Sequence, residues 1–238
     1  MTGMILSAVL GYSIGQLSPA ALISKLKEKD LREHGTGNLG ATNTMLVFGK
    51  GYGITVMLFD VLKAYFAIKL AKAMFSRYVF AGLVAGCFAV VGHIFPAYLN
   101  FRGGKGVAAF AGMILAYDIR LLLVLLIIAL LIMNVTDTGH YGPISAAVLF
   151  PVYLWLRIRS LIVFGGVAAV GGLIIYRHRE NMQNAKEGNE IRVSEFSGKC
   201  QEYQQEVEEE YGDIIERVWL LHSGYYINGN DAFRRHGT

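Results

Sequence analysis

Of 238 residues, 54% are hydrophobic and 17% are charged, and the mean hydropathy is +0.42. So little charge excludes a water-soluble domain of this length and points to an integral membrane protein. The formal net charge of +4 conceals an asymmetry: residues 1–176 carry 14 Lys/Arg against 6 Asp/Glu (+8), and residues 177–238 carry 8 against 12 (−4). A basic membrane part suits anionic lipid or phosphorylated substrates, and it is equally what ordinary topology signals produce.

The chain opens on an apolar stretch with no Lys or Arg before Lys25, so it reads as a retained anchor rather than a cleaved signal. Met4–Ile23 is the first expected span, near the ~20 residues a bilayer requires. A polar loop from Ser24 to Tyr52 follows. Gly53–Met74, interrupted by Asp60 and Lys63, and Val79–Phe95 are the next spans, separated by a tight turn. After the polar stretch Pro96–Gly106 comes Val107–Tyr117, apolar but short and expected to be sheltered. Leu121–Val135, Pro143–Leu156 and Leu161–Tyr176 complete seven crossings. Lys25, Lys27, Lys29 and Arg32 follow the first span, which puts the N-terminus outside. Parity then gathers the Gly35–Asn43 loop, the Arg102–Gly106 loop, the Thr136–Gly142 loop and the C-terminal tail at the cytoplasmic face. The expected fold is all-α, seven transmembrane helices in residues 1–190, with an acidic, partly helical tail in 191–238. Between Gln201 and His222 the apolar residues Tyr203, Val207, Tyr211, Ile214, Val218 and Leu221 recur at helical spacing opposite an acidic face. That amphipathic helix suits packing on the membrane part or a tail-mediated dimer; residues from Ser223 onward carry no structural expectation beyond loose order.

Three short stretches carry the chemistry. Gly35-Thr36-Gly37-Asn38-Leu39-Gly40-Ala41-Thr42-Asn43 is glycine-dense, and successive N–H groups in such turns form anion-binding concavities. Arg102-Gly103-Gly104-Lys105-Gly106 runs straight into a helix; its glycines free backbone amides, the helix N-terminus adds positive potential, and Lys105 supplies a charge. It lacks the spacing and the preceding strand of a nucleotide P-loop. Tyr176-Arg177-His178-Arg179-Glu180-Asn181 closes the last span with phosphate-binding side chains, though a basic stop at a membrane surface has the same composition. His93 reads as a structural histidine, and Asp60 and Lys63, one turn apart, as a mutual pair. Cys87 and Cys200 lie too far apart for an expected disulfide, and no ligand-spaced Cys/His cluster suggests a metal. No Gly-x-Ser-x-Gly elbow appears, nor a histidine followed five residues on by aspartate. What remains suits joining a phosphate-bearing soluble substrate to a lipid-bearing one. A non-catalytic lipid- or partner-binding protein stays open, while a transporter is disfavoured by the lack of an internal repeat.

Taken in order, the Gly35–Asn43 series, His93 with Pro96, Gly103-Gly104-Lys105-Gly106-Val107-Ala108 and Tyr176–Asn181 resemble the bacterial acyl-phosphate-dependent glycerol-3-phosphate acyltransferases, the PlsY family. The resemblance spans about residues 4–190, and Asp60 and Lys63 fit its second-span pattern. It implies seven transmembrane helices in the bacterial inner membrane. It also implies transfer of a fatty acyl group from acyl phosphate to the 1-hydroxyl of glycerol 3-phosphate, giving lysophosphatidic acid. The implied partners are these two substrates and membrane lipid, with no cofactor, metal, acyl-CoA or nucleic acid. Carried over residue by residue, Thr36, Asn43, His178 and Asn181 belong to the reacting centre. Gly37, Asn38, Gly40, Arg102, Gly103, Gly104, Lys105, Gly106, Arg177 and Arg179 belong to phosphate binding. The chain departs from the pattern at Thr36 and Gln16 (usually Ser), Leu46 (usually an acceptor-binding Arg), Ala109 (usually Thr), Gly142 (usually Ser) and Asn184 (usually Arg). An alternative acceptor on the same scaffold is therefore part of the expectation.

Overall fold

The computed structural model describes residues 1–206 and two short strands, Tyr225–Asn228 and Ala232–Arg235. Helix α1 (Thr2–Gly15) buries Gly3, Ser7, Gly11 and Gly15, a four-residue period that repeats along one helix face. A Cβ on Gly11 would lie 2.1 Å from the carbonyl oxygen of Ala85, and one on Gly15 2.1 Å from that of Ala89. Small residues permit this close backbone packing between membrane helices. The partner helix is α5 (Ala81–Ile94), which buries Ala81, Ala85 and Ala89 in turn.

The span expected as one helix from Met4 to Ile23 is broken. α1 ends at Gly15, and α2 (Pro19–Leu26) restarts behind Ser18, whose Oγ accepts the Ala21 N–H at 3.2 Å. Pro19 has no N–H to donate backward, so it fits the first turn of a new helix and not the middle of an old one. The stretch read as one polar loop also contains helix α3 (Ala41–Phe48), and Gly49, at φ +96°, turns the chain into α4 (Lys50–Met74). A 3-10 turn, Ala97–Leu99, follows α5 and leads to α6 (Val107–Tyr117).

Helix α6 is the centre of the molecule. It buries Phe110, Met113 and Ile114, and a Cβ on its Gly112 would lie 2.0 Å from the carbonyl oxygen of Val61 in α4. Phe110 meets Phe150 edge-on at 5.5 Å, which ties α6 to α8 (Tyr141–Ile158). Helices α7 (Ile119–Thr136) and α9 (Leu161–Arg177) complete the bundle, and α10 (Arg179–Lys186) follows after His178. Leu123, Val124, Leu126, Ile127, Leu130 and Leu131 of α7 are exposed, an apolar face that water would not tolerate and lipid does.

Five helical stretches are long and apolar enough to cross a bilayer: Thr2–Leu26, Ala81–Leu99, Ile119–Thr136, Tyr141–Ile158 and Leu161–Lys186. α4 has the length, 25 residues, but carries Asp60, Lys63, Lys69 and Lys72. α6 has the apolarity, but its 11 residues reach only about 16 Å.

The tail departs from an all-helical expectation. Residues 196–206 are helical, whereas the rest of the helix expected up to His222 lies outside the described residues. Beyond it, Tyr225–Asn228 pairs antiparallel with Ala232–Arg235, Tyr225 opposite Arg235 and Asn228 opposite Ala232. Tyr-Tyr-Ile-Asn has strand-forming residues, and Gly-Asn-Asp between the strands is turn-forming composition. Residues 190–206 return onto the helical bundle through bonds described below.

Candidate active site

The glycine loop is held open by one buried amide. Asn43, at 0% exposure, accepts the Thr36 N–H on Oδ1 at 2.6 Å and donates from Nδ2 to the carbonyls of Leu31 (2.8 Å) and His34 (3.0 Å). Its whole amide is thus occupied in bracing the loop, which makes Asn43 a positioning residue instead of one at the reacting centre. Gly35 and Gly37 adopt φ +59° and +68°, conformations that glycine enters without strain. The Gly37 N–H is taken by His34 O and the Gly40 N–H by Asn38 O, both at 3.0 Å. Thr36 is exposed on the outside of this turn.

The second loop works differently from its composition. The N–H groups of Gly103 and Gly104 donate to the carbonyls of Ile94 (3.1 Å) and His93 (3.2 Å), so they close the C-terminus of α5 and are not free for an anion. Their glycine identity has a steric cause. A Cβ on Gly103 would lie 2.1 Å from His93 O; one on Gly104 would lie 2.2 Å from His93 Nε2 and 2.8 Å from Leu39 O. Gly104 is therefore where the two glycine loops touch. Gly106, at φ +87°, caps α6 without any side chain on the first-turn amides, leaving that helix N-terminus beside Lys105. Gly104→Ala should cut kcat/KM by about 100-fold, the cost of an ångström-scale misplacement, while the protein still purifies as a folded species. Steady-state kinetics beside a size-exclusion profile check it.

Around Lys105 the structure assembles one polar cluster. Lys105 Nζ donates to Asn181 Oδ1; Asn181 Nδ2 donates to Glu190 Oε1 at 3.0 Å; Glu190 Oε2 lies 2.7 Å from His140 Nδ1. Arg177 Nη2 donates to the Gly103 carbonyl at 3.2 Å. His178 bonds Ile174 O through Nδ1 at 2.8 Å and lies within electrostatic reach of Lys105, His140 and Arg177. Two buried nitrogens in this cluster, Arg177 Nε and His140 Nε2, have no hydrogen-bond partner among the described residues. Buried polar atoms left unpaired are rare and mark places where a ligand group completes the set. Burial holds the Lys105 ammonium below the usual lysine range, against the opposing pull of Glu180 and Glu190 and with the help of Arg177.

The expected residues thus divide. Lys105, Arg177, His178 and Asn181 come together, with Gly103 bonded to Arg177 and Gly104 joining the first loop through Leu39. Arg179 does not join them: it stacks on Tyr176 at 4.1 Å and lies 3.7 Å from Glu180. Arg102 is exposed, and among the described residues only its backbone N–H is engaged, by Leu99 O at 3.1 Å. Gly37, Asn38 and Gly40 shape the first loop. His140 and Glu190 were missed, although parity had already put the loop containing His140 at this face.

A second feature is an apolar groove of 830 Å3 lined by Leu17, Leu22, Leu39, Phe59, Tyr98 and Leu99, with Lys25, Asp30 and Arg32 at its polar side. It shares Leu39 with the Gly104 contact.

A glycerol-3-phosphate acyltransferase family profile matches residues 5–188. The glycerol-3-phosphate acyltransferase of Staphylococcus saprophyticus is 35% identical over 198 residues, covering 80% of this chain and 98% of that protein. Glycerol-3-phosphate acyltransferase 1 of Deinococcus radiodurans is 35% identical over 191 residues, covering 80% and 96%. The chain belongs to this family. Among solved structures, the crystal structure of PlsY (YgiH), an integral membrane glycerol 3-phosphate acyltransferase, in its glycerol 3-phosphate form matches with TM-score 0.75 and 31% identity over 82% of this chain and 97% of that one. Its lysophosphatidic acid form matches with TM-score 0.70 over 79% and 94%. This glycerol-3-phosphate acyltransferase family member is accordingly an integral membrane protein. One of its departures has a local cause: Gly142 is buried, and a Cβ there would lie 2.7 Å from Met133 Cγ and Sδ. A residue with a side chain at 142 would require Met133 to move.

Proposed function

We propose that this family member transfers a fatty acyl group from acyl phosphate to the 1-hydroxyl of glycerol 3-phosphate, releasing inorganic phosphate and lysophosphatidic acid. The observation that carries the reading is Lys105, bonded to Asn181 and within electrostatic reach of Arg177, whose Nε has no partner among the described residues, beside the N-terminus of α6. Cationic side chains and a helix N-terminus converging on one buried place suit a phosphate. An acyl phosphate is a mixed anhydride, so no covalent enzyme intermediate is required. The acceptor oxygen attacks the acyl carbonyl carbon, the bond from that carbon to the oxygen bridging to phosphorus breaks, and the electron pair leaves on phosphate, which also takes the hydroxyl proton. Lys105, Arg177 and the α6 amides would bind the leaving phosphate. Asn181, its Oδ1 fixed by Lys105 and its Nδ2 by Glu190, would hold that ammonium in place, with His178 beside it. Thr36 and Asn38 of the first loop would face the acceptor. The apolar groove that shares Leu39 would take the acyl chain from the bilayer.

In this reading α4 and α6 complete seven crossings in the bacterial cell membrane. The N-terminus is outside, and all three loops and the tail are cytoplasmic. The tail's described part meets its own chain, and a tail-mediated dimer stays part of this reading.

Purified protein in detergent, supplied with palmitoyl phosphate with and without glycerol 3-phosphate, tests the reading. Acceptor-dependent formation of lysophosphatidate matched by phosphate release is the expected result. Turnover stimulated only by another alcohol would move the assignment to a different acceptor, a second reading favoured by the apolar Leu46. Absence of any acyl-phosphate turnover would remove the enzymatic reading altogether.

A further inference from the structure

The family match stops at residue 188, yet the chain does not leave the site there. Glu190 joins His140 and Asn181. Four residues on, Ser194 donates from its N–H to Asp137 Oδ1 (2.9 Å) and from its hydroxyl to Asp137 Oδ2 (2.8 Å), at the start of the third loop. Those two bonds hold the exposed Asp137 carboxyl below the usual aspartate range, backbone first and hydroxyl second. The segment then turns helical, buries Cys200 to 1% exposure and brings Tyr203 onto the first loop. There the Tyr203 hydroxyl accepts the Gly35 N–H at 3.0 Å, and its side chain packs against the small apolar cluster to which Leu31, Leu39 and Val47 belong. One stretch of chain, absent from the family match, thus ties the first loop, the third loop and the end of the last span together.

We propose that Tyr203 is a positioning residue for the acceptor: it holds Gly35, and with it the glycine loop, in the conformation that binds the acceptor alcohol. The inference rests on the acyltransferase reading. A loop with Gly35 and Gly37 both at positive φ has many conformations to choose from, and only external bonds select one. The Thr36 N–H is selected from inside by Asn43, and the Gly35 N–H from outside by Tyr203. The loop is tight at this point, since a Cβ on Gly35 would lie 2.3 Å from Asn43 Oδ1. Releasing Gly35 therefore loosens the residue on which the Thr36–Asn43 bond sits. Thr36 itself is exposed, and in the acyltransferase reading it faces the acceptor. The relatives from Staphylococcus and Deinococcus are matched over 98% and 96% of their length by alignments that take in 80% of this chain.

Tyr203→Phe keeps the ring in its apolar seat and removes only the acceptor oxygen. In full-length protein in detergent, hydrogen exchange of the peptide covering residues 31–44 should speed up. KM for glycerol 3-phosphate should rise roughly 3- to 10-fold, the loss of one net hydrogen bond, with kcat and KM for palmitoyl phosphate unchanged. Ser194→Ala, which loosens the same segment at Asp137, should shift both readouts in the same direction and by less. Unchanged exchange in Tyr203→Phe overturns the brace. A fall in kcat with both KM values kept, or a gain in kcat/KM for the acceptor, overturns the positioning role; the gain would make the segment a brake. Wild-type protein without glycerol 3-phosphate turnover would fail the acyltransferase reading itself, and exchange would still decide whether Tyr203 holds the loop.

Discussion

Lys105→Met leaves acyl transfer about 1,000-fold below wild type in kcat, the upper range for removing one pre-placed stabiliser of developing charge. The leaving phosphate gains negative charge as its bond to the acyl carbon breaks, and Lys105 is the ammonium at the α6 N-terminus where that charge would collect. The fold survives the change, because among the described residues Lys105 makes one side-chain bond, to Asn181, and it is not part of the packed helix core. Arginine is a poor substitute, since its planar fork cannot take a point charge's place between Asn181 and a helix end. The pH dependence gives an independent check. Burial favours the neutral amine in the free protein, so the alkaline limb of kcat/KM has its midpoint below 10.5, the ordinary lysine value. The charges facing Lys105 are Glu180 and Glu190, which hold its proton on, and Arg177, which drives it off. Glu190→Gln removes one of the two opposing carboxylates and moves the limb to still lower pH. Initial rates between about pH 8 and 10, where both substrate phosphates are already fully ionised, measure it. An alkaline limb at the same pH in wild type and Glu190→Gln would separate Lys105 from the chemistry.

Much of this site was legible in the order of its loops. Parity expects three loops at one face, residue type points to Lys105, and the family resemblance adds Arg177, His178 and Asn181; the fold brings these four together and leaves Arg179 apart. Composition failed where it had to say how a group is used. Gly103 and Gly104 look like free amides in a row of glycines, but their N–H groups close α5, and they are glycine because His93 and Leu39 leave no room for a Cβ. Asn43 looks like a reacting polar group and is a loop brace, because burial to 0% exposure obliges all its hydrogen-bonding capacity to be satisfied by backbone. The break at residues 16–18 was written in Ser18-Pro19, a helix start inside an apolar run, and was overridden by hydropathy. The tail's return was not legible at all. Gly35 and Tyr203 are separated by 168 positions, and no periodicity in either segment names the other. The same contact changes the meaning of Leu46: it is 2% exposed and shares a 280 Å3 cleft with Gly35, Lys199, Glu202, Tyr203 and Glu206. An arginine introduced there to bind an acceptor phosphate would first meet the two glutamates.

Asp60→Asn and Lys63→Met should each destabilise the protein by about 3–5 kcal/mol, and the double variant should recover most of that loss. Both side chains are 2% exposed, and Lys63 Nζ lies 2.7 Å from Asp60 Oδ1, so removing either charge strands the other inside a helix bundle in lipid. His93 Nδ1 completes the group at 3.0 Å from Lys63 Nζ and 3.3 Å from Asp60 Oδ1. Unfolding midpoints in a mixed-detergent titration give the coupling energy; additive single effects would mean that the charges do not depend on each other. Activity should follow a different course. Lys63 also donates to the Leu17 carbonyl at 2.6 Å, at the helix break lining the apolar groove, while the far side of the His93 ring supports Gly104. One ammonium therefore fixes a wall of the proposed acyl groove and the floor of the proposed phosphate site relative to each other. The double variant removes the stranded charge without restoring that link. Its stability should return toward wild type while its kcat stays low, and this divergence is what distinguishes a group that aligns two substrates from one that only holds helices together.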